Sequence, residues 1–330
     1  MKKTILYSII LLCCTAFFAC NDEWNDEQYE KYVSFTRSGY VNTYLSYKNK
    51  GGEVSYRIPV EVSGSTKNDR NVTVTIAIDP DTLATMNIER YYTTRKDLYF
   101  LLLNPKHYEF KTMTTTIPAG SDIAYFDIDF KIGDLDLVEK YILPLNIVET
   151  SEYVPSPKKW YRRSLMRIIP FNDYSGTYSA TGGTLYDASD ANRTLTSVDY
   201  REMRVVDQNT VFFYAGLISE EARDRALYKI KATFNAQTNT PDRGTITLTA
   251  DNSDIDFTFE PDECYYTVDS RMDELQPYLK ISTTTLYLKY TYKDISNPNY
   301  EVRYVFSGSY LLERRRNTQI PEEDQQFIFE

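Results

Sequence analysis

The sequence predicts an all-β chain of two domains, a β-sandwich followed by a closed antiparallel β-barrel. Three observations carry that expectation. Apolar residues recur at every second position through many short segments, as in Val54, Tyr56, Ile58, Val60, Val62 and again in Val72, Val74, Ile76, Ile78; a period of two is the mark of a half-buried strand. Turn chemistry separates the segments, in Asp79-Pro80, Pro118-Ala119-Gly120, Pro241-Asp242-Arg243-Gly244 and Asn297-Pro298-Asn299. Tyrosine is abundant, at 30 of 330 residues, and its ring suits a pleated surface.

Residues 1–19 read as an export signal: Lys2 and Lys3 form a basic start, and Thr4 to Ala19 is almost wholly apolar. The stretch is short for a transmembrane helix, which needs about 20 apolar residues. Phe17-Phe18-Ala19-Cys20 resembles a bacterial lipobox, with Phe17 where leucine is usual. That resemblance implies diacylation of Cys20, which becomes the first mature residue and ties the chain to a membrane through acyl chains alone. Asp22, Glu23, Asp26 and Glu27 follow within a polar tether, residues 20–31. They resemble the acidic signal that places Bacteroidetes lipoproteins on the outer face of the outer membrane.

Residues 32–170 are expected to form the sandwich. Strands are predicted over 32–36, 53–63, 71–79, 108–110, 112–117, 123–132, 141–148 and 160–169, with a short helix over 81–87 after the Asp79-Pro80 break. So many short strands in so few residues suggest an immunoglobulin-like arrangement. Pro170-Phe171-Asn172-Asp173 marks a boundary. Residues 171–316 then supply eight predicted strands, over 176–185, 198–206, 210–215, 227–235, 244–250, 254–260, 283–293 and 301–313. A helix is expected over 219–226, capped by Ser219 with Glu220 and Glu221 in its first turn. Eight up-and-down strands fit a closed barrel of the lipocalin or calycin type, because closure removes exposed edges; a second sandwich is the alternative. Arg314, Arg315 and Arg316, and the polar residues 317–330, are expected to be a solvated end.

Composition narrows the chemistry. The formal charge is −10, and removal of Lys2 and Lys3 makes the remainder more acidic, which speaks against nucleic acid and against adhesion to anionic lipid. Cys13 and Cys14 leave with the signal and Cys20 carries the lipid, so Cys264 remains alone, without a disulfide partner. Its flanks, Tyr265 and Tyr266, predict a buried small hydrophobe. His107 is the single histidine, so a zinc site with two histidines is excluded, and a Ser-His-Asp triad could use no other. It stands in a turn before a strand and is expected to be structural. No cofactor is expected.

Residues 33–169 resemble an N-terminal domain of unknown function found in Bacteroidetes surface lipoproteins encoded beside glycan-uptake genes. The likeness lies in Tyr56-Arg57-Ile58-Pro59-Val60, the segment from Asp79-Pro80-Asp81 to Met86-Asn87, Tyr108, Ile117-Pro118-Ala119-Gly120 and Tyr141-Ile142-Leu143-Pro144-Leu145. Met86 and Leu103-Asn104 depart from the usual pattern. Residues 171–316 are similar to lipocalin-like C-terminal domains, chiefly through Asp173-Tyr174-Ser175-Gly176-Thr177-Tyr178. The resemblance implies a surface glycan-binding role for some members and supplies no binding residues.

Candidate ligand residues come from the aromatic content, because a pyranose offers an apolar face to a ring and hydroxyls to a phenol. Tyr265 and Tyr266 fall in an acidic insertion read over Asp262 to Leu279. Tyr287 faces opposite to Tyr290 and Tyr292 on one strand, so one of those sets would line the barrel. Trp160 begins a strand after the Pro155-Ser156-Pro157 loop. Trp24 lies in the tether. The carboxylate pairs Asp127/Asp129, Asp134/Asp136 and Asp254/Asp256 have spacing that hydrolysis could use, yet such pairs ordinarily face solvent, and Asn252 to Asp256 lacks a calcium loop's glycine and glutamate. Taken together, the sequence favours a non-catalytic binder of polysaccharide or oligosaccharide, working with an outer-membrane transporter and its lipoprotein. An adhesin or assembly component that binds protein partners, and a glycan-active hydrolase, are the alternatives.

Overall fold

The chain is described by a computed structural model covering residues 26–48, 51–158, 160–180, 182–237, 240–320 and 325. The segment read as an export signal, with Cys20 and Trp24, lies outside the described residues. In the N-terminal half the strands are β1 (Tyr32–Phe35), β2 (Gly39–Ser46), β3 (Glu53–Val62) and β4 (Val72–Ile78), then helix α1 (Pro80–Tyr91). They continue as β5 (Leu101–Leu102), β6 (Tyr108–Phe110), β7 (Thr114–Ile117), β8 (Ile123–Lys131), β9 (Tyr141–Thr150), β10 (Val154–Pro155) and β11 (Arg163–Phe171). One sheet runs β10-β1-β3-β8-β6. The other runs β2-β11-β9-β4-β7, with β5 beside β9. Val60, Phe126, Ile128, Leu143 and Ile168 from the two sheets share one core, each such side chain stabilising the fold by about 1.5–3 kcal/mol.

Besides the two-residue β5 and β10, which were not expected, two longer elements of this half differ from expectation. β2 pairs in parallel with β11 from Gly39↔Ser164 to Ser46↔Phe171, and its sequence gave little sign of it because Thr43 interrupts the apolar alternation. α1 runs past Asn87 to Tyr91. Its start is well determined: Asp79 accepts from the Thr82 N–H at 3.1 Å and Pro80 opens the helix. The helix seats Leu83 against Phe100, Ile142 and Leu165 on the outer face of the second sheet, and that docking carries it beyond its local signal.

The C-terminal half contains β12 (Gly176–Ser179), β13 (Thr184–Asp187), β14 (Thr196–Ser197), β15 (Tyr200–Val205) and β16 (Thr210–Tyr214). After these come β17 (Lys229–Gln237), β18 (Thr240–Ala250), β19 (Thr258–Phe259), β20 (Tyr265–Met272), β21 (Leu279–Asp294) and β22 (Val302–Asn317). The order β12-β15-β16-β17-β18-β20-β21-β22 closes on itself, because β22 pairs with β21 over its whole length and meets β12 at Ser179↔Leu311. Eight strands thus form a closed barrel, not a second sandwich. β13, β14 and β19 are short additions to it.

The membership of those eight strands is not the one the sequence suggested. The predicted strand over 176–185 divides into β12 and β13. The predicted strand over 254–260 divides between the end of a 3-10 turn, Ser253–Ile255, an irregular stretch and the two-residue β19. The stretch read as an acidic insertion instead supplies β20, where the aromatic Tyr265 stands outward beside the buried Tyr266 and blurs the alternation. No α-helix forms over 219–226. There Glu220 turns to Arg204 at 2.6 Å, and the Arg225 guanidinium reaches the Ala222 carbonyl at 3.2 Å and Glu139 at 3.4 Å. The contacts to Arg204 and Glu139 outweigh the local capping signal. Arg314, Arg315 and Arg316 belong to β22, and the Arg314 guanidinium bonds the Ser175 carbonyl.

β16 joins the two halves. It is buried along its whole length. Val211 and Phe213 face the barrel core, while Phe212 and Tyr214, with Val205, pack into the sandwich core. A continuous apolar run is what a strand buried on both faces requires.

Candidate functional site

The aromatic site is built by the antiparallel register of β20 and β21, which sets Tyr265 directly opposite Tyr287. Opposed side chains in such a pair stand about 5 Å apart, and here the rings stack with centroids 4.5 Å apart and planes 18° from parallel. Both rings lie on the outside of the barrel, 41% and 38% exposed. The row continues to Thr245 on β18 and Ser309 on β22. The next outward row brings Thr267, Thr285 and Leu311 into line. Lys289 and Glu263 form an ion pair at 2.6 Å on one flank. The result is a pair of exposed phenol rings set in a surface of threonine and serine hydroxyls. It can stack an apolar ring face and offer hydrogen bonds around it.

The strand period sends the remaining tyrosines inward, and this corrects three of the candidate residues. Tyr266, Tyr290 and Tyr292 are 0%, 1% and 2% exposed. Tyr266 meets Phe234 edge-on at 5.2 Å, and Tyr174 stacks on Phe234 at 3.9 Å. Tyr290 stacks on Phe306 at 5.0 Å, and its hydroxyl accepts from the Gly216 N–H at 3.1 Å. Tyr292 meets Tyr228 edge-on at 6.2 Å. Burial raises the phenol pKa of Tyr290 and Tyr292. These rings fill the barrel interior, so a sugar could reach them only by displacing the core. Trp160 is also a packing residue, set against the cluster of Leu83, Phe100, Ile142 and Leu165.

Other singled-out residues have structural settings. His107 is buried with Nδ1 2.9 Å from the Lys131 carbonyl oxygen. Cys264 is fully buried, as its flanks predicted, and burial pushes its thiol up. Asp127 is engaged by Arg57 at 3.5 Å and Lys111 at 3.7 Å. Asp129 accepts from Ser55, Asp136 pairs with Lys229 at 3.4 Å, and Asp256 pairs with Arg303.

What sequence reasoning missed was the partnership of Tyr265 with Tyr287. Each was a candidate alone, but β20 was not recognised as a strand. The alternation of Cys264, Tyr266 and Val268 was the available signal.

Comparison with known proteins follows this architecture. The family model for a domain of unknown function, DUF4973, matches residues 24–151. A second model, described only as a C-terminal domain, matches residues 162–311. No curated protein matches the chain. Among solved structures, a Bacteroides ovatus protein of unknown function is 35% identical, with a TM-score of 0.79, over 90% of this chain and 99% of its own. A multidomain protein including DUF1735, also from Bacteroides ovatus, is 35% identical over 90% and 99%, with a TM-score of 0.77. An auxiliary nutrient binding protein from Bacteroides thetaiotaomicron is 33% identical over 88% and 95%, with a TM-score of 0.77. With 33–35% identity over about nine-tenths of its length, the chain belongs to the same family as these Bacteroides proteins, and its N-terminal part carries the DUF4973 domain.

Proposed function

We propose that this protein is a non-catalytic glycan-binding lipoprotein, anchored through Cys20 and facing outward from the outer membrane. The observation that carries the binding role is the exposed, stacked Tyr265–Tyr287 pair among hydroxyl side chains. The relative named as an auxiliary nutrient binding protein supports the same class. The candidate carboxylates Asp127 and Asp256 each sit in an ion pair, an arrangement suited to a solvated surface more than to hydrolysis. An outer-membrane transporter and its lipoprotein would receive the bound polysaccharide or oligosaccharide. No helix among the described residues is long and apolar enough to cross a membrane, so on this reading the acyl chains are the attachment.

The test is calorimetry of the acyl-free chain against a panel of polysaccharides. We expect at least one neutral glycan to bind, and Tyr265→Ala with Tyr287→Ala to weaken it about tenfold, equivalent to about 1.4 kcal/mol, with unchanged thermal stability. Folded protein that binds nothing in a broad panel, or that binds equally well without both rings, would overturn the reading.

A further inference from the structure

Where the barrel docks on the sandwich, the outer face of β2 and β11 meets the outward face of β15. A cavity of about 130 Å³ lies between them, with Asn42, Lys140, Arg167, Thr177, Glu202 and Arg204 in its lining. The register explains the gathering. Arg167 pairs with Asn42 across β2 and β11, and Lys140 immediately precedes β9, whose Ile142 pairs with Arg167. On β15, Met203 faces the barrel core, so Glu202 and Arg204 on either side of it face the sandwich.

Most charges here are matched. Arg204 donates to the Leu137 carbonyl at 3.0 Å, to Glu202 at 3.0 Å and to Glu220 at 2.6 Å. Glu139 is taken by Arg225 at 3.4 Å. Arg204 takes two carboxylates, so Arg204, Arg225, Lys140 and Arg167 together exceed Glu139, Glu202 and Glu220 by one positive charge. Among the described residues, neither Lys140 nor Arg167 has a carboxylate within ion-pair distance, and the Arg167 Nε is buried with no hydrogen-bond partner. Burial, and then the positive charges of Arg204 and Arg167, hold the Lys140 ammonium below the usual lysine range, with Glu202 and Glu220 pulling the other way. A concave site with one surplus positive charge, carried by a guanidinium and an ammonium that no carboxylate touches, in a chain of net charge −10, has room for one anion. Guanidinium and ammonium together are the ordinary partners of a carboxylate.

We propose that this interdomain cavity binds a sugar carboxylate, a hexuronate or its equivalent at a chain end. Arg167 and Lys140 take the carboxylate, and Asn42 and Thr177 are placed for the hydroxyls. The site is separate from the tyrosine pair, and the proposal shares with the preceding one only that the ligand is a carbohydrate. It predicts that a ligand bound here also bridges the two domains.

The experiment is calorimetry of the acyl-free chain with D-glucuronate, D-galacturonate, D-glucose and sulfate. A uronate should bind, with D-glucose at least tenfold weaker. Arg167→Met and Lys140→Met should each weaken the uronate about tenfold or more, Arg167→Lys should restore part of that loss, and Tyr287→Ala should have no effect. Because a changed interface could loosen the domains, the unaltered chain gives a second readout: millimolar uronate should raise its melting temperature and D-glucose should not. Uronates that neither release heat nor raise the melting temperature would overturn the proposal, as would equal binding of D-glucose. Sulfate bound as tightly as the uronate would overturn the assignment to a sugar. Loss of polysaccharide binding by the tyrosine variants with uronate binding intact would support this site, whereas uronate binding abolished by Tyr287→Ala would assign the ligand to the tyrosine pair instead.

Discussion

Asp79 shows how much one residue can settle. Its carboxylate accepts from the Thr82 N–H and hydroxyl, at 3.1 Å and 2.6 Å, and from the Arg163 Nε at 3.2 Å. Burial opposes its ionisation, but these donors outweigh it and keep the carboxyl below the usual aspartate range. Asp79→Ala should therefore destabilise the chain by about 1–2 kcal/mol, read from urea denaturation, and Asp79→Asn by less. Glu27 plays a comparable part within the stretch read as a tether. It accepts from the Ser65 and Thr66 N–H groups at 2.7 Å and 3.1 Å. Gly216 is a different case. Its φ is +49°, and a Cβ there would run into the Tyr292 ring, so Gly216→Ala combines left-handed strain with a clash in the core. A loss of about 2 kcal/mol or more is expected, with a lowered melting temperature.

At the scale of elements, the chain is read well wherever burial alternates cleanly. β3, β4, β6 and β8 fall within a residue or two of expectation, because one face meets the core and the other water. Three elements escaped for physical reasons. β2 carries Thr43 inward, β20 carries the aromatic Tyr265 outward beside the buried Tyr266, and Glu220 of the segment over 219–226 turns to Arg204. β20 matters most, since without it Tyr265 has no partner. Its inward residue Tyr266 and the facing Leu286 on β21 are fully buried. Leu286→Ala should cost about 2–5 kcal/mol and, by loosening the β20–β21 register, should also weaken glycan binding. Thermal melts beside calorimetry would show both effects together.

Across the whole molecule, the two domains behave as coupled because β16 serves both cores. Phe212 lies 1% exposed in the sandwich cluster although its strand belongs to the barrel. Phe212→Ala should cost about 3–5 kcal/mol and split a single unfolding transition into two, resolved by scanning calorimetry. The charged contact near it adds a pH dependence. Burial resists ionisation of Glu202, but Arg204, then Arg167 and Lys140, hold its carboxyl below the usual glutamate value. Its contribution is then full above about pH 4.3 and is lost as pH falls through the lower folded value. Glu220 has the opposite sign, since burial raises its carboxyl and its contribution fades as pH rises. Glu202→Gln should flatten the acid limb of the melting profile below about pH 4.

Residue order alone settles the fold class, the strand-rich composition of both halves, and a chemical inventory of one histidine and four cysteines. It could do so because alternation, turn residues and counts are local properties of a chain. It also placed Tyr287 on the face opposite Tyr290 and Tyr292, which follows from the strand period alone. Folding alone settles which face is exposed, that Tyr265 stacks on Tyr287, and that Lys140 and Arg167 meet Arg204 in a cavity between the domains. Those outcomes depend on barrel closure, cross-strand register and docking, which join residues far apart in the chain.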